Sequence, residues 1–296
     1  NKLTLMFWGG EPLLYFNQIQ SIVDEFKDSV NYSMVSNGSL LTDYIVDFIN
    51  ENKINYVLSN DGVNTNITRL NDVLQDSRLL FLLNKIERLS VDATVSAYNM
   101  NFLQLLSYWN IVLPKAKPNF ELLRVTWNMP SDLYNFDFDL LSKNIYNFFS
   151  CAIFDLIHEH NSKTLSAAMP YINTICKGLG KELKYPNCSQ TDRNLNIDLD
   201  GNIFVCHNTG FKIGTILDDR NTYLSKGYRW YQSKKIKECE KCSVVDFCSG
   251  GCPLDITDKD GKKITCKINR LFYENAVRAI FDGLLHSDID YNYLFK

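Results

Sequence analysis

Cys239-Glu240-Lys241-Cys242-Ser243-Val244-Val245-Asp246-Phe247-Cys248-Ser249-Gly250-Gly251-Cys252 places four cysteines within fourteen residues. Outward from this stretch lie Cys266 on one side and Cys206 and Cys188 on the other, so seven of the nine cysteines fall between positions 188 and 266. Twelve residues separate Cys188 from Gly201, and four more separate Gly201 from Cys206. Thiolates two or three residues apart share a turn and can point at one soft metal or cluster. A disulfide framework suits a small secreted domain, whereas a chain of 296 residues can build a core without such staples. Zinc ribbons use two C-x2-C pairs for one tetrahedral site. Here one pair is followed by C-x5-C-x3-C and a distant seventh cysteine, an asymmetry that iron–sulfur clusters tolerate. Zinc remains the alternative on spacing alone.

Hydrophobic content of 45% and charged content of 22% are those of an ordinary globular protein. A net charge of −3 with no long basic run gives no reason to expect nucleic acid. Ala93 to Pro114 carries no charge, yet Asn99, Asn101, Gln104 and Asn110 within it are costly in lipid. A buried strand and helix are expected there, and neither a membrane nor nucleic acid is expected as a partner. The cysteine usage suits a cytoplasmic setting, where thiols stay reduced.

The first 150 residues alternate short apolar runs with helical patterns. Lys2–Trp8 has strand length and ends in Gly9-Gly10-Glu11-Pro12, and Leu14–Phe26 has helical spacing. Tyr32–Ser36 reads as a strand ending in Asn37-Gly38, and Thr42 as the N-cap of a helix through Ile49. Ile54–Leu58 is a third strand, ending in Ser59-Asn60-Asp61-Gly62. A helix over Leu74–Ile86, a strand over Val91–Ser96, a helix over Phe102–Ile111, a strand over Phe120–Thr126 and a helix over Asp137–Phe149 complete the series. Such alternation predicts βα units and a parallel sheet, whose C-terminal edge carries ligands. Residues 151–186 have a mixed pattern and are expected to bridge to a third region, 187–296. In that region Leu195–Val205 predicts a hairpin, with Leu195, Ile197 and Leu199 facing Ile203 and Val205 across Asp200-Gly201. Lys267–Leu285 predicts a final amphipathic helix.

The cysteine order C-x12-G-x4-C, then C-x2-C-x5-C-x3-C, then C resembles the seven-cysteine SPASM domain of radical S-adenosylmethionine (SAM) enzymes. The resemblance implies two auxiliary 4Fe–4S clusters. Cys188, Cys206 and Cys252 would hold the first, and Cys239, Cys242, Cys248 and Cys266 the second. The first set has only three thiolates, so an open site is expected there, with Cys176 the nearest alternative ligand. Phe7-Trp8-Gly9-Gly10-Glu11-Pro12 is similar to the family's second-strand motif, whose glutamate and backbone receive the methionyl ammonium of SAM. Ser36-Asn37-Gly38 resembles the turn near the SAM ribose. Ser59-Asn60-Asp61-Gly62 with Arg69 resembles the segment near the ribose and carboxylate. Taken alone, each stretch is an ordinary turn or helix start.

The implied fold is α/β: a partial parallel (β/α) barrel lacking its first unit over 1–150, a bridge over 151–186, and a small α+β SPASM domain over 187–296. The implied chemistry is reductive cleavage of SAM to a 5′-deoxyadenosyl radical that removes a substrate hydrogen. Expected partners are a peptide or protein substrate and a reducing electron donor such as flavodoxin or ferredoxin. An anaerobic sulfatase-maturase type of enzyme is one alternative, and a non-catalytic iron–sulfur scaffold or electron carrier is another. The family's C-x3-C-x2-C motif for a third cluster does not occur in the sequence. It belongs upstream of the Gly-Gly-Glu-Pro motif, so an incompletely recorded chain is expected, with an exposed edge at the first strand.

His158 and His160 flank Glu159 but do not share a helix face, so they are expected on the surface. Cys151 and Cys176 read as small core residues. His207 stands where sulfatase maturases carry an aspartate; a packed residue or a donor to a cluster sulfur ranks ahead of a base.

Overall fold

The computed structural model describes residues 2–125, 129–179, 194–232, 239, 241–248 and 259–285. They form two compact units. The first takes in the described residues of Asn1–Leu123, Pro130–Ile172 and Asn275–Lys296, and the second those of Arg124–Met129 and Asn173–Glu274.

The first unit follows the βα rhythm. Its elements are β1 (Thr4–Phe7), α1 (Phe16–Phe26), β2 (Asn31–Ser36), α2 (Asp43–Glu51), β3 (Asn55–Ser59), α3 (Thr65–Thr68), α4 (Ser77–Lys85), β4 (Leu89–Val95), α5 (Phe102–Val112), β5 (Lys117–Leu122) and α6 (Phe138–Ile157). The strands make one parallel sheet in the order β1-β2-β3-β4-β5. Its register places Leu5 beside Tyr32, Met34 beside Tyr56, Leu58 beside Val91 and Asp92 beside Asn119. Caps fix where helices begin. The Thr42 hydroxyl accepts from the Ile45 N–H at 3.2 Å, and the Asp76, Asn101 and Asp137 side chains cap α4, α5 and α6 in the same way.

In β4 the period of two is plain. Leu89, Val91, Ala93 and Val95 are buried, while Ser90, Asp92 and Thr94 between them are half-buried. The apolar side meets an aromatic cluster in which the Phe102 ring lies 5.1 Å from both Phe120 and Phe148. Fully burying such a ring contributes about 2–3 kcal/mol. The uncharged stretch from Ala93 supplies strand and core helix, as expected. Among the described residues no helix is long and apolar enough to cross a membrane. β1 has no second partner strand among the described residues, and Met6 and Trp8 are 54% and 46% exposed.

Helix α6 runs eight residues beyond the expected end at Phe149, because Ala152 and Ile153 continue the buried stripe of Ile145, Phe148 and Phe149. The segment expected to bridge, 151–186, contains the end of α6 and a seventeen-residue helix, α7 (Lys163–Leu179). Cys151 is exposed on α6 rather than in the core, since that stripe passes on either side of it. Cys176 on α7 is half-buried.

The second unit holds a three-stranded antiparallel sheet of β6 (Asn196–Ile197), β7 (Asn202–Phe204) and β8 (Lys212–Thr215). It also contains α8 (Arg220–Gln232), α9 (Val245–Cys248) and the start of α10 (Lys259–Leu285), which begins two turns earlier than its apolar pattern suggested. The hairpin forms where expected, and Asp198 closes it by accepting from the N–H groups of Asp200 and Asn202. Its apolar residues divide differently, however. Ile203 and Val205 are buried with Cys206, Ile213 and Tyr223, whereas Leu195, Ile197 and Leu199 are 44%, 52% and 70% exposed. The third strand, unforeseen from the pattern, makes β7 the central strand and leaves β6 at the edge.

Candidate functional site

Three loops leave the C-terminal ends of β1, β2 and β3. The first carries Gly9, Gly10, Glu11 and Pro12. Both glycines are exposed, with open space where a Cβ would project. Glu11 caps the short 3-10 helix of Pro12–Tyr15: its Oε1 accepts from the Leu13 N–H at 3.1 Å, and Pro12 suits a first helical position. The Ser36 hydroxyl donates to the same oxygen at 2.8 Å, and the Asn37 N–H donates to Oε2 at 2.9 Å. Three donors from two strand ends therefore fix one carboxylate. A carboxylate has about four acceptor positions. Among the described residues the remaining one, on Oε2, is unfilled.

The Ser36 hydroxyl is itself committed, because it also accepts from the Gly38 N–H at 3.0 Å, and the residue is 2% exposed. Ser36 is thus a support for Glu11, while Asn37 is the exposed member of the pair. Gly38 has φ +78, and a Cβ there would stand 3.0 Å from Leu58 Cδ1. The tight turn excludes side chains at that point.

At the end of β3 the Asp61 carboxylate is saturated. Its Oδ1 accepts from the Thr94 N–H at 2.9 Å and from Arg69 Nη2 at 3.0 Å. Its Oδ2 accepts from Arg69 Nε at 2.8 Å and from the Thr68 hydroxyl at 2.7 Å. Such a bidentate pair holds a guanidinium in one plane. Arg69 Nη1 makes no hydrogen bond among the described residues. Asp61 accordingly orients Arg69 and keeps no acceptor for a ligand. The Ser59 hydroxyl, half-buried and opposite Asp92 in the register, has no partner among the described residues.

Asp92 was not singled out from the sequence, although the polar half of the β4 alternation marks its position. Asn119 Nδ2 donates to it at 3.3 Å. Burial, and next the negative charge of Glu121, push its carboxyl up to about 7, against a smaller opposing effect of Arg69. Arg69, Asp61, Asp92 and Glu121 thus form one interacting set on the polar side of the sheet.

The cysteines are less assembled. Cys188 and Cys252 lie outside the described residues. No disulfide joins any two of the seven described cysteines. Cys239 and Cys242 share a turn closed by the Cys242 N–H to the Cys239 carbonyl at 3.1 Å, and Cys248 ends α9. Cys266 is exposed on α10. Among the described residues no three Cys, His, Asp or Glu side chains converge as a metal site. Cys206 is buried in the second unit, where its Sγ accepts from the Asn208 N–H at 3.4 Å. His207 is exposed rather than packed, because the chain turns outward after β7. His158 and His160 are exposed at the end of α6, as expected.

No family model matches the chain. Radical SAM cyclopropyl synthase TigE of Paramaledivibacter caminithermalis is 23% identical over 306 residues, spanning 98% of this chain. The match covers 63% of TigE, so the chain spans less than two thirds of that relative's length. Among solved structures, native anSMEcpe with bound AdoMet superposes with a TM-score of 0.71 at 19% identity, covering 96% of this chain and 85% of that one. The same protein with AdoMet and the Cp18Cys peptide gives 0.70 at 19%, with 96% and 86% covered. Streptococcus suis SuiB gives 0.57 at 16% identity, with 88% and 65% covered.

Proposed function

We propose that this chain, a member of the radical SAM superfamily, binds S-adenosylmethionine at the C-terminal edge of β1–β3 and is part of an enzyme that modifies a peptide or protein. The observation that carries the reading is the Glu11 carboxylate, held by three donors with an acceptor position left on Oε2. An ammonium needs such a group: a fixed anion with vacant acceptor capacity beside open space. A guanidinium N–H of Arg69, aimed by Asp61, suits a ligand carboxylate, and the Ser59 hydroxyl suits a ribose. The residues present therefore fit an amino-acid nucleoside. Bound here, SAM would supply a 5′-deoxyadenosyl radical on receiving one electron from a reduced iron–sulfur cluster, whose C-x3-C-x2-C ligands this sequence does not contain. The chain's own part is to fix the amino-acid end and to keep Gly9 and Gly10 clear of side chains at the place of closest approach. A peptide substrate is favoured by the peptide bound in the anSMEcpe structure.

Two auxiliary 4Fe–4S clusters belong to the same reading, the first on Cys188, Cys206 and Cys252, the second on Cys239, Cys242, Cys248 and Cys266. Support for them is the cysteine spacing. The described thiols alone do not form a three-ligand group.

Calorimetric titration with SAM tests the reading. Glu11→Gln keeps the size and one acceptor oxygen, which can still take Leu13 and Ser36, but loses the charge and puts an amide donor where Oε2 accepts from the Asn37 N–H; it is expected to weaken binding about tenfold or more. Equal binding by wild type and Glu11→Gln would remove the ammonium site.

A further inference from the structure

Tyr56 carries the buried polar side-chain atom that has no hydrogen bond among the described residues. The residue is 0% exposed on β3, in the row of Met34, Ser36, Tyr56 and Leu58 that forms the buried face of β2 and β3. A buried hydroxyl without a partner is costly and rare, so its placement calls for a use. The phenol points at the turn after β2: its oxygen lies 3.7 Å from where a Cβ on Gly38 would stand. The Ser36 hydroxyl is close enough to lower the phenol's pKa as a hydrogen-bonding neighbour, although no bond with proper geometry is formed, and the Glu11 charge raises it.

The Ser36 hydroxyl has one proton and two acceptor positions. It gives the proton to Glu11 Oε1 and accepts from the Gly38 N–H, which leaves one acceptor position unfilled. We propose that Tyr56 is a positioning residue: its hydroxyl donates to Ser36 when the site is loaded, and the donor chain Tyr56–Ser36–Glu11 holds the carboxylate aimed at the ligand's ammonium. This deepens, and rests on, the assignment of Glu11 to the amino-acid end of SAM. The direction of the chain is determined by chemistry. A carboxylate can only accept, so Ser36 must donate to it, and a bond between Ser36 and the phenol must then have the phenol as donor. Burial raises the phenol well above its ordinary range, against an opposing effect of the neighbouring Ser36 hydroxyl and with a smaller upward push from the Glu11 charge, so Tyr56 stays protonated and remains a donor. A donor behind a donor also strengthens the bond in front of it.

The test uses the whole chain and two ligands, SAM and 5′-methylthioadenosine, which lacks the amino-acid end. Tyr56→Phe removes one oxygen and keeps the ring, so packing is retained, and thermal melting verifies the fold. The expected result is a Kd for SAM raised about threefold to tenfold, with methylthioadenosine binding unchanged. In a Ser36→Ala background, Tyr56→Phe should add nothing, because its effect passes through Ser36. Three results would overturn the inference: no change for SAM, equal weakening of both ligands, or a full additional loss in the Ser36→Ala background. If SAM binding is absent, or is indifferent to Glu11→Gln, the site assignment falls and takes the inference with it. Sensitivity to Glu11→Gln together with indifference to Tyr56→Phe removes the Tyr56 chain alone.

Discussion

Asp92 shows what one residue's surroundings add to its identity. Its carboxyl sits near 7 because burial and the charge of Glu121 disfavour ionisation, an effect that Arg69 offsets only in part. The folded chain then holds a proton that the unfolded chain releases near the ordinary carboxylate value. Stability from this group is therefore greatest below about pH 4 and falls as pH rises to about 7. Asp92→Asn is expected to remove that slope and to stabilise the chain at pH 8 by on the order of 1–2 kcal/mol, after allowance for partial exposure. Urea unfolding of both proteins at pH 5 and pH 8 checks it, and parallel pH dependence in the two would contradict it. The alternating Ser90, Asp92 and Thr94 place the carboxylate on a polar face in the sequence itself. Its neighbour Glu121 is not legible there, since it comes from another strand.

At the scale of elements, the turn after β3 couples fold to site. Gly62 has φ +79, and a Cβ on it would lie 2.3 Å from Leu105 Cδ2 on α5. The leucine tip can move, but the left-handed backbone penalises any L side chain whatever the space. Gly62→Ala is therefore expected to cost about 1–3 kcal/mol in unfolding free energy. It should also disturb Asp61, the residue before it, and with it the plane of Arg69. Denaturation with a circular-dichroism readout checks the stability term; an unchanged midpoint would mean that the turn relaxes freely. The Asp61-Gly62 pair already marks a turn in the sequence. The pressure of α5 against it appears only once the chain is folded.

For the molecule as a whole, the two units make different demands. The first buries an aromatic core of Phe102, Trp109, Phe120 and Phe148. The second packs Ile203, Val205, Cys206, Ile213 and Tyr223 in one cluster and also buries Val244, Phe247, Ile268 and Phe272. Anaerobic reconstitution is expected to yield about eight irons and eight sulfides per chain, and chelation afterwards to lower the melting temperature. Stoichiometric zinc with negligible iron would reject the cluster assignment.

The sequence by itself determined the parallel α/β order, the cap at Thr42, the hairpin at Asp200-Gly201 and the Gly-Gly-Glu-Pro and Asp61-Gly62 loops as the candidate site. These are legible because periodicity, capping and turn chemistry act over a few neighbouring residues. Only the tertiary structure decided which polar groups remain available to a ligand. Ser36 and Asp61, both expected as ligand contacts, spend their side chains on Glu11 and Arg69. Tyr56 and Asp92 gained their significance from the neighbouring strands. Ser36 and Glu11 lie 25 residues apart, and Asp61, only eight from Arg69, also takes the Thr94 N–H from 33 residues away. Hydrogen-bond capacity is filled by whatever group the fold brings near, and no local pattern encodes that distance.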